Sequence, residues 1–215
     1  MASCFYTMST NNKLPLSFYQ RPDVTKIAQD LLGKVLVSNI NGIITSGIIV
    51  ETEAYAGEAD KAAHVYGGRR TKRTETMYGP AGHAYIYFCY GIHHLINVVT
   101  NIENVPNAVL IRALEPLEGI DYMLERRKKK QLDVTLTRGP GSLCQALGIT
   151  YNLDGTSLNS SLIWIEDRNI HYPKSQTEAG PRIGVAYAKE HALWPFRFWV
   201  KGNKYVSKPP KYNFE

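Results

Sequence analysis

The 215-residue chain has little cysteine and none of the cysteine or histidine spacings that are typical of metal sites. Its three cysteines, Cys4, Cys89 and Cys144, are an odd number and lie far apart, so we expect free thiols in a reducing compartment. Neither Cys-x-x-Cys nor His-Glu-x-x-His occurs, and the adjacent His93 and His94 would point to opposite faces of a strand. We therefore expect neither a disulfide framework nor a bound metal ion.

Long apolar runs are also missing. No stretch approaches the roughly 20 apolar residues that cross a membrane, and the first residues lack the charged and apolar regions of a secretory signal. We expect a soluble, intracellular protein of one domain. The net charge of +6 favours an anionic partner such as nucleic acid or a membrane surface, although many basic proteins bind neither.

The first half of the chain predicts a β-hairpin that leads into a polar motif. Two runs rich in β-branched residues, 34–40 and 43–51, are joined by Asn41-Gly42, a dipeptide typical of two-residue hairpin turns. The second run continues directly into Glu51-Thr52-Glu53-Ala54-Tyr55. These polar residues are therefore expected at the end of a strand, where a rigid scaffold can hold them.

The remaining elements alternate between strands, short helices and one long irregular excursion over residues 56–83. Helices are predicted after Asp23 as N-cap and closed by Gly33, after Pro116, and over residues 142–147 closed by Gly148. Further strands are predicted at residues 84–90, 95–100, 109–114, 162–166, 182–187 and 196–201. This pattern indicates a single α+β domain.

The motif at residues 51–55 carries two carboxylates that suit acid or base chemistry. In an extended segment Glu51, Glu53 and Tyr55 lie on one face, so the two carboxylates could divide acid and base roles between them. The alternative is that both are exposed charges at a strand end, which is the commoner situation. The residues alone do not choose between these interpretations.

Aromatic residues are concentrated between positions 85 and 90, where Tyr85, Tyr87, Phe88 and Tyr90 occur. Such a strand usually packs a core, but aromatic rings also stack on extruded bases or wedge into a base stack. Tyr90-Gly91 resembles a turn tip, where a large ring has little core to join. Its position favours contact with a ligand.

Two basic runs are candidates for contact with phosphate. Arg69, Arg70, Lys72 and Arg73 lie in the irregular excursion beside Gly67-Gly68, where the backbone can approach a ligand closely. The alternative is a solvated charge run. For residues 126–130, at the end of the helix predicted after Pro116, we favour a solvated helix end over a DNA-binding patch.

The motifs together closely resemble the alkyladenine (3-methyladenine) DNA glycosylase family, in the family's order and over about residues 17–207. A match spread over so many blocks is far more specific than any single motif. The blocks are residues 51–55, Ala62-Ala63-His64, Gly67-Gly68-Arg69, Arg112-Ala113-Leu114-Glu115-Pro116, the run from Gly139 to Leu147, and Arg182-Ile183-Gly184-Val185.

The resemblance implies a role for each matching residue. Glu53 corresponds to the base that activates water, whereas Glu51 has no such role in the family, and Arg112 corresponds to an arginine beside that water and the target phosphate. Hydrolysis of an N-glycosidic bond passes through an oxocarbenium-like sugar, which a carboxylate can stabilise. The positions that match the base pocket and the DNA wedge are Tyr55, Ala62, His64, Tyr87, Asn97 and Val185 for the pocket, and Tyr90 for the wedge.

The resemblance also implies the architecture and the partner. We expect a flexible tail over residues 1–13, then a domain over 14–215 that is built on a curved antiparallel sheet with peripheral helices and a protruding DNA-inserting β-hairpin. The partner would be duplex DNA that contains 3-methyladenine, 7-methylguanine, hypoxanthine or ethenoadenine, and no cofactor would be needed. Because no lysine occupies a matching nucleophile position, we expect base excision without strand cleavage.

The expected enzyme is a monomer in the cytoplasm, associated with the nucleoid in a bacterium, or in the nucleus of a eukaryote. Two alternatives remain at this point. One is a non-catalytic nucleic-acid-binding module on the same fold. The other is a small-molecule nucleoside hydrolase that uses Glu51 and Glu53 as its acid and base.

Overall fold

The fold is organised around one long strand, β2 (Ile43–Tyr55), in a computed structural model that describes residues 12–89 and 91–208. The other strands of the described chain are β1 (Val35–Ile40), β3 (Ala84–Cys89), β4 (His93–Thr100), β5 (Asn107–Glu118), β6 (Ile163–Glu166), β7 (Thr177–Gly180) and β8 (Arg197–Val200). Its α-helices are α1 (Leu16–Tyr19), α2 (Val24–Asp30), α3 (Ile120–Arg126) and α4 (Pro140–Leu147).

The strands form one curled antiparallel sheet in the order β3-β4-β5-β2-β1-β6. One edge of β2 pairs with β5, while its other edge is shared between β1 at residues 43–48 and β8 at residues 51–53. The remaining strand, β7, pairs with β8. The second half of β2 is therefore held on both sides, which fixes the positions of the side chains that it carries.

Helices cover one face of the sheet and close the main core. The apolar side of α2 packs on β2, and α4 packs on β4 and β5. Asp23 caps α2 as predicted, because its carboxylate accepts hydrogen bonds from the backbone N–H groups of Thr25 and Lys26. The fold is thus a single α+β domain, in agreement with the sequence, and no helix in the described ranges is long and apolar enough to cross a membrane.

The predicted hairpins are present. Asn41 and Gly42 both have positive φ angles, 56° and 79°, as a tight turn between β1 and β2 requires. Strands β3 and β4 form a second hairpin whose last paired residues are Cys89 and His93. Tyr90, which the sequence places at its tip, lies outside the described residues, so its insertion into DNA stays a prediction.

Two predictions of secondary structure were wrong. Pro116 does not start a helix but lies inside β5 opposite Gly47, where a register shift in the pairing tolerates a residue without an N–H group. The segment at residues 182–187 is not a strand, since Gly184 has a φ of 79° and the N–H group of Ile183 binds a side chain. A strand that the sequence did not predict, β7, is mostly exposed and has no apolar alternation.

Strand β2 is also longer than predicted. The strand continues through the motif at residues 51–55, which forms its last five residues at the predicted strand end, and Glu51 and Glu53 are both fully buried. The interpretation of these residues as exposed charges at a strand end is therefore wrong. Two buried carboxylates need partners inside the protein, because an unpaired charge away from water is strongly unfavourable.

The connection from β5 to α3 depends on a glycine. Gly119 has a φ of +69°, and a Cβ atom there would lie 2.4 Å from the carbonyl oxygen of Ile44. Gly42 has a similar φ of +79° but nothing within 4 Å of such an atom.

Gly42→Ala should therefore lower the free energy of unfolding by about 1 kcal/mol from backbone strain alone. Gly119→Ala should lower it by clearly more, because the added Cβ atom would also clash with the carbonyl oxygen of Ile44. Urea unfolding followed by circular dichroism measures both, and equal losses would contradict the steric argument.

Candidate active site

Arg112 lies between the two buried carboxylates and joins them. Its Nε atom is 3.3 Å from Oε1 of Glu51, and its Nη1 atom is 3.4 Å from Oε1 of Glu53. Burial alone would lower the pKa of Arg112, but the charges of Glu53 and Glu51 outweigh it and the pKa is raised. The guanidinium therefore stays charged and offsets the negative charge of the carboxylates.

Glu51 is fully engaged by groups from the C-terminal part of the chain. Its Oε1 atom accepts a hydrogen bond of 2.6 Å from Nε of Arg197, which is itself buried. Its Oε2 atom accepts one of 2.8 Å from the backbone N–H group of Ser207. These bonds tie the start of β8 and the segment after this strand to β2, which is a structural role.

Glu53 has different partners. Its Oε1 atom accepts a hydrogen bond of 2.7 Å from the backbone N–H group of Ile183, and its Oε2 atom accepts one of 2.9 Å from the hydroxyl of Tyr55. Burial first, and then the charge of Glu53, raises the pKa of Tyr55 well above its ordinary value. The Tyr55 hydroxyl therefore stays protonated and acts as a donor to Glu53.

An open cleft of about 420 Å³ borders Glu53. This volume lies in the range of small-molecule pockets. Among the described residues that line it, Glu53 is present and Glu51 is not. The cleft brings together seven residues that the sequence singled out: Glu53, Tyr55, His64, Arg73, Tyr87, Arg112 and Val185. Of the two carboxylates, only Glu53 therefore lies against this cleft, and its side chain has no exposed surface in the structure.

Aromatic rings form one wall of this cleft. His64 and Tyr87 meet edge to face with ring centroids 4.6 Å apart, and Nδ1 of His64 lies 2.9 Å from the hydroxyl of Tyr85. Burial, and after it the nearby charges of Arg73 and Arg69, lowers the pKa of His64 to about 4. The His64 ring is therefore uncharged near pH 7.

A smaller cavity of about 40 Å³ continues from the cleft. Asn97 and Ala62, both buried, line it together with Tyr55, His64 and Tyr87. The side-chain amide of Asn97 donates a hydrogen bond to the carbonyl of Tyr85 at 3.1 Å, which fixes its orientation. The predicted pocket residues are thus gathered in one place.

The basic loop at residues 69–73 is exposed, but its members differ. The Arg70 guanidinium pairs with Glu75 through two hydrogen bonds of 2.6 and 2.9 Å and also bonds Asn104. Arg73 lies beside the cleft, with its guanidinium 5.2 Å from the centre of the Tyr87 ring. Arg69 and Lys72 are exposed in the same loop. Arg70 is the weakest candidate for contact with phosphate, because a carboxylate already occupies its guanidinium.

The run at residues 126–130 is less solvated than expected. Arg126 and Arg127 donate hydrogen bonds to the carbonyls of Ala146 and Thr135, and Lys129 pairs with Asp133. Three of its five cations are therefore bound to partners within the protein. The prediction of a solvated helix end fits only the remaining two, Lys128 and Lys130, which are exposed.

Sequence reasoning assigned no site role to four residues near Glu53 and Glu51, although Arg182 begins one of the family blocks. They are Asp60, Arg182, Tyr187 and Arg197. Arg182 and Asp60 are both fully buried and form an ion pair, and the Tyr187 hydroxyl donates to the carbonyl of Ala62 at 3.0 Å. Each has its partner far along the chain, so no local pattern indicates the contact. No group of three or more histidine, cysteine or acidic residues in the described ranges is arranged to hold a metal ion.

Known proteins that are similar to this chain are described as DNA glycosylases. A family model described as methylpurine-DNA glycosylase matches residues 17–204. A relative from Clostridium acetobutylicum is 50% identical over 203 residues, which cover 91% of this chain and 97% of the relative. Relatives from Bacillus cereus and Bacillus anthracis are also 50% identical, over 203 and 204 residues, covering 90% of this chain and 98% of theirs. All three bear provisional names as 3-methyladenine DNA glycosylases.

The different surroundings of the two carboxylates lead to a stability prediction. Glu51→Gln should lower the free energy of unfolding by about 3 kcal/mol, because it leaves Arg197 buried without its full charge partner. Chemical unfolding measures this loss. The matched substitution Glu53→Gln should cost less, since Glu53 borders an open cleft and its neighbours Tyr55 and Ile183 can donate to an amide oxygen. A larger loss for Glu53→Gln would contradict the structural role of Glu51.

The neutral state of His64 can be measured directly. Its ring resonances in NMR should not titrate above about pH 5, whereas an ordinary histidine titrates near 6.5. Because the unfolded chain binds this proton at a higher pH than the folded one, the contribution of His64 to stability is complete above pH 6.5. It is lost as the pH falls toward 4. A titration midpoint near 6.5 for His64 would show that its ring is more solvated than the structure indicates.

Proposed function

Because this chain belongs to the methylpurine-DNA glycosylase family, we propose that it excises alkylated and deaminated purines from duplex DNA with a water molecule that Glu53 activates. The chain is a DNA glycosylase, an enzyme of DNA repair. The proposed substrates are 3-methyladenine, 7-methylguanine, hypoxanthine and ethenoadenine. The observation that carries the assignment of Glu53 is that this carboxylate borders the cleft, whereas Glu51 does not.

The reaction replaces the bond between C1′ and the purine nitrogen with a bond between C1′ and a water oxygen. The base departs with the electron pair of the broken bond, and a neutral purine such as hypoxanthine takes up a proton in exchange for the one that water loses. Positive charge develops on the sugar meanwhile, and a carboxylate beside C1′ stabilises it. Glu53 also orients the water and accepts its proton. In our proposal, Arg112 stabilises the ionised form of Glu53 between catalytic cycles, which its distance of 3.4 Å supports.

A purine inside the duplex is out of reach of Glu53, so the target nucleotide has to be turned out of the base stack. This costs a few kcal/mol, least for a damaged base. In our proposal the extruded base stacks between rings of the cleft, where Tyr55, His64 and Tyr87 lie, and Tyr90 fills the gap that it leaves. Arg69, Lys72 and Arg73 are the proposed phosphate contacts.

Selection for alkylated bases follows from the chemistry of the cleft wall. A methylated purine such as 7-methylguanine carries a positive charge, and aromatic faces attract cations by about 0.5–2 kcal/mol. A charged imidazolium would repel such a base, but the pKa of His64 of about 4 keeps this ring neutral. Asn97 and the backbone of Ala62, which line the adjoining small cavity, are proposed to contact the edge of the base.

Two features favour simple hydrolysis over the alternatives. No lysine is among the described residues that line the cleft, so it offers no amine for a covalent intermediate with the sugar. A nucleoside hydrolase that uses both carboxylates would need Glu51 to reach the substrate. Arg197 and Ser207 instead hold Glu51 from the opposite end of the chain.

The central test is the isosteric substitution Glu53→Gln. It should reduce single-turnover release of each of the four damaged bases by about 100- to 10,000-fold, the usual contribution of a general base, while affinity for the damaged duplex changes little. Base release from labelled DNA and fluorescence anisotropy measure the two quantities.

The matched control is Glu51→Gln, assayed at a temperature at which the variant remains folded. It should cause a much smaller loss of base release than Glu53→Gln. Near-normal excision by Glu53→Gln, or an equal loss in both variants, would refute the assignment of Glu53 as the base that activates water.

A further inference from the structure

We propose that the buried ion pair of Arg182 and Asp60 is a positioning device that holds the two hydrogen-bond donors of Glu53, Tyr55 and Ile183, in place for the reaction. The inference rests on the proposed role of Glu53 and extends it. Neither residue of the pair lines the cleft among the described residues, so both would act through their neighbours.

The pair joins the region of residues 54–60 to a segment more than 120 positions further along the chain. The guanidinium of Arg182 donates to both carboxylate oxygens of Asp60, with a distance of 2.9 Å between Nη2 and Oδ1. It also donates to the carbonyl of Ala54, at the end of β2, and to the carbonyl of His191 at 3.2 Å. One side chain therefore links the strand that carries Glu53 to the loop at residue 60 and to the segment that follows residue 182.

Asp60 extends the same network into the loop that forms the pocket. Its carboxylate accepts hydrogen bonds from the backbone N–H groups of Ala56, at 3.2 Å, and Ala62, at 3.0 Å. Ala62 lines the small cavity beside the cleft, and its carbonyl accepts the hydroxyl of Tyr187. The Asp60 carboxylate thus fixes the backbone at Ala56 and Ala62 and also binds Arg182.

Both donors to Glu53 are attached to this pair. The guanidinium of Arg182 lies 4.8 Å from the centre of the Tyr55 ring, whose hydroxyl donates to Oε2 of Glu53. Ile183, whose N–H group donates to Oε1 of Glu53, is the next residue after Arg182. A displacement of Arg182 would therefore move the partners of both oxygens of Glu53 at once.

An ion pair of arginine and aspartate suits the positioning of neighbouring groups better than it suits stabilisation of the fold. A fully buried ion pair often contributes no more to stability than well-packed apolar residues would, because desolvation of the charges offsets their attraction. A paired guanidinium and carboxylate, however, fix each other's orientation through parallel hydrogen bonds. Lysine has no planar fork and cannot reproduce this geometry.

The first test is Arg182→Lys in the full-length enzyme. It should lower the single-turnover rate of 7-methylguanine release by about 100-fold, the loss expected when a reacting group shifts by about 1 Å. Affinity for DNA with an abasic-site analogue, which places no base in the pocket, should stay within a small factor of the wild-type value. A rate close to that of the wild type would overturn the proposal.

A general loss of stability is controlled with Asp167→Asn, which removes the partner of Lys34, 2.6 Å away at the start of β1. Neither residue lines the cleft among the described residues. This variant should show a lower melting temperature than the wild type and an unchanged excision rate. If its excision rate fell as far as that of Arg182→Lys, the effect of Arg182 would be one of stability and the positioning role would be wrong.

A double-mutant cycle with Glu53 separates positioning from other causes. If Arg182 acts through Glu53, adding Arg182→Lys to Glu53→Gln should leave the residual rate nearly unchanged. A further drop equal to that in the wild-type background would overturn the inference while the proposed function stands. Normal excision by Glu53→Gln alone would instead refute the proposed function.

Discussion

The site depends on the burial of two carboxylates of one strand against a shared arginine. Glu51 and Glu53 are both removed from water, and Arg112 lies within 3.4 Å of each. Such an arrangement is stable only when the remaining charge and hydrogen-bonding capacity are satisfied within the protein. The C-terminal part of the chain satisfies Glu51, and the segment at Ile183 satisfies one oxygen of Glu53. In our proposal, the reactive carboxylate is Glu53, because it lies against the cleft and Glu51 does not.

The sequence predicted those turns, caps and helices that depend on interactions between residues close together in the chain. The Asn41-Gly42 turn, the Asp23 cap and the helix after Gly139 depend on residues within a few positions of each other, and all are present. The prediction of a helix at Pro116 was wrong. Proline is a typical first residue of a helix, but here a register shift opposite Gly47 lets Pro116 lie within a strand. The sequence around Pro116 does not show that it pairs with Gly47, which lies about 70 residues earlier.

The site itself was predictable only in part. Resemblance to a family selected Glu53 over Glu51, and our proposal keeps that choice because Arg197, 146 positions from Glu51, binds Glu51. Nothing local distinguishes the two carboxylates, since both belong to the same short motif. Arg182 and Asp60 are 122 positions apart and could not be paired by inspection. Long-range ion pairs produce no periodic pattern of residues, so a single sequence does not reveal them.

The central claim is that Glu53, and not Glu51, directs the attacking water at a base held outside the helix. A crystal structure of the enzyme with duplex DNA that contains a non-hydrolysable damaged nucleotide tests it most directly. We predict an ordered water molecule that bonds to the Glu53 carboxylate and lies next to C1′ of the extruded nucleotide. A water at C1′ that is held by other groups, with Glu53 turned away from it, would contradict the account.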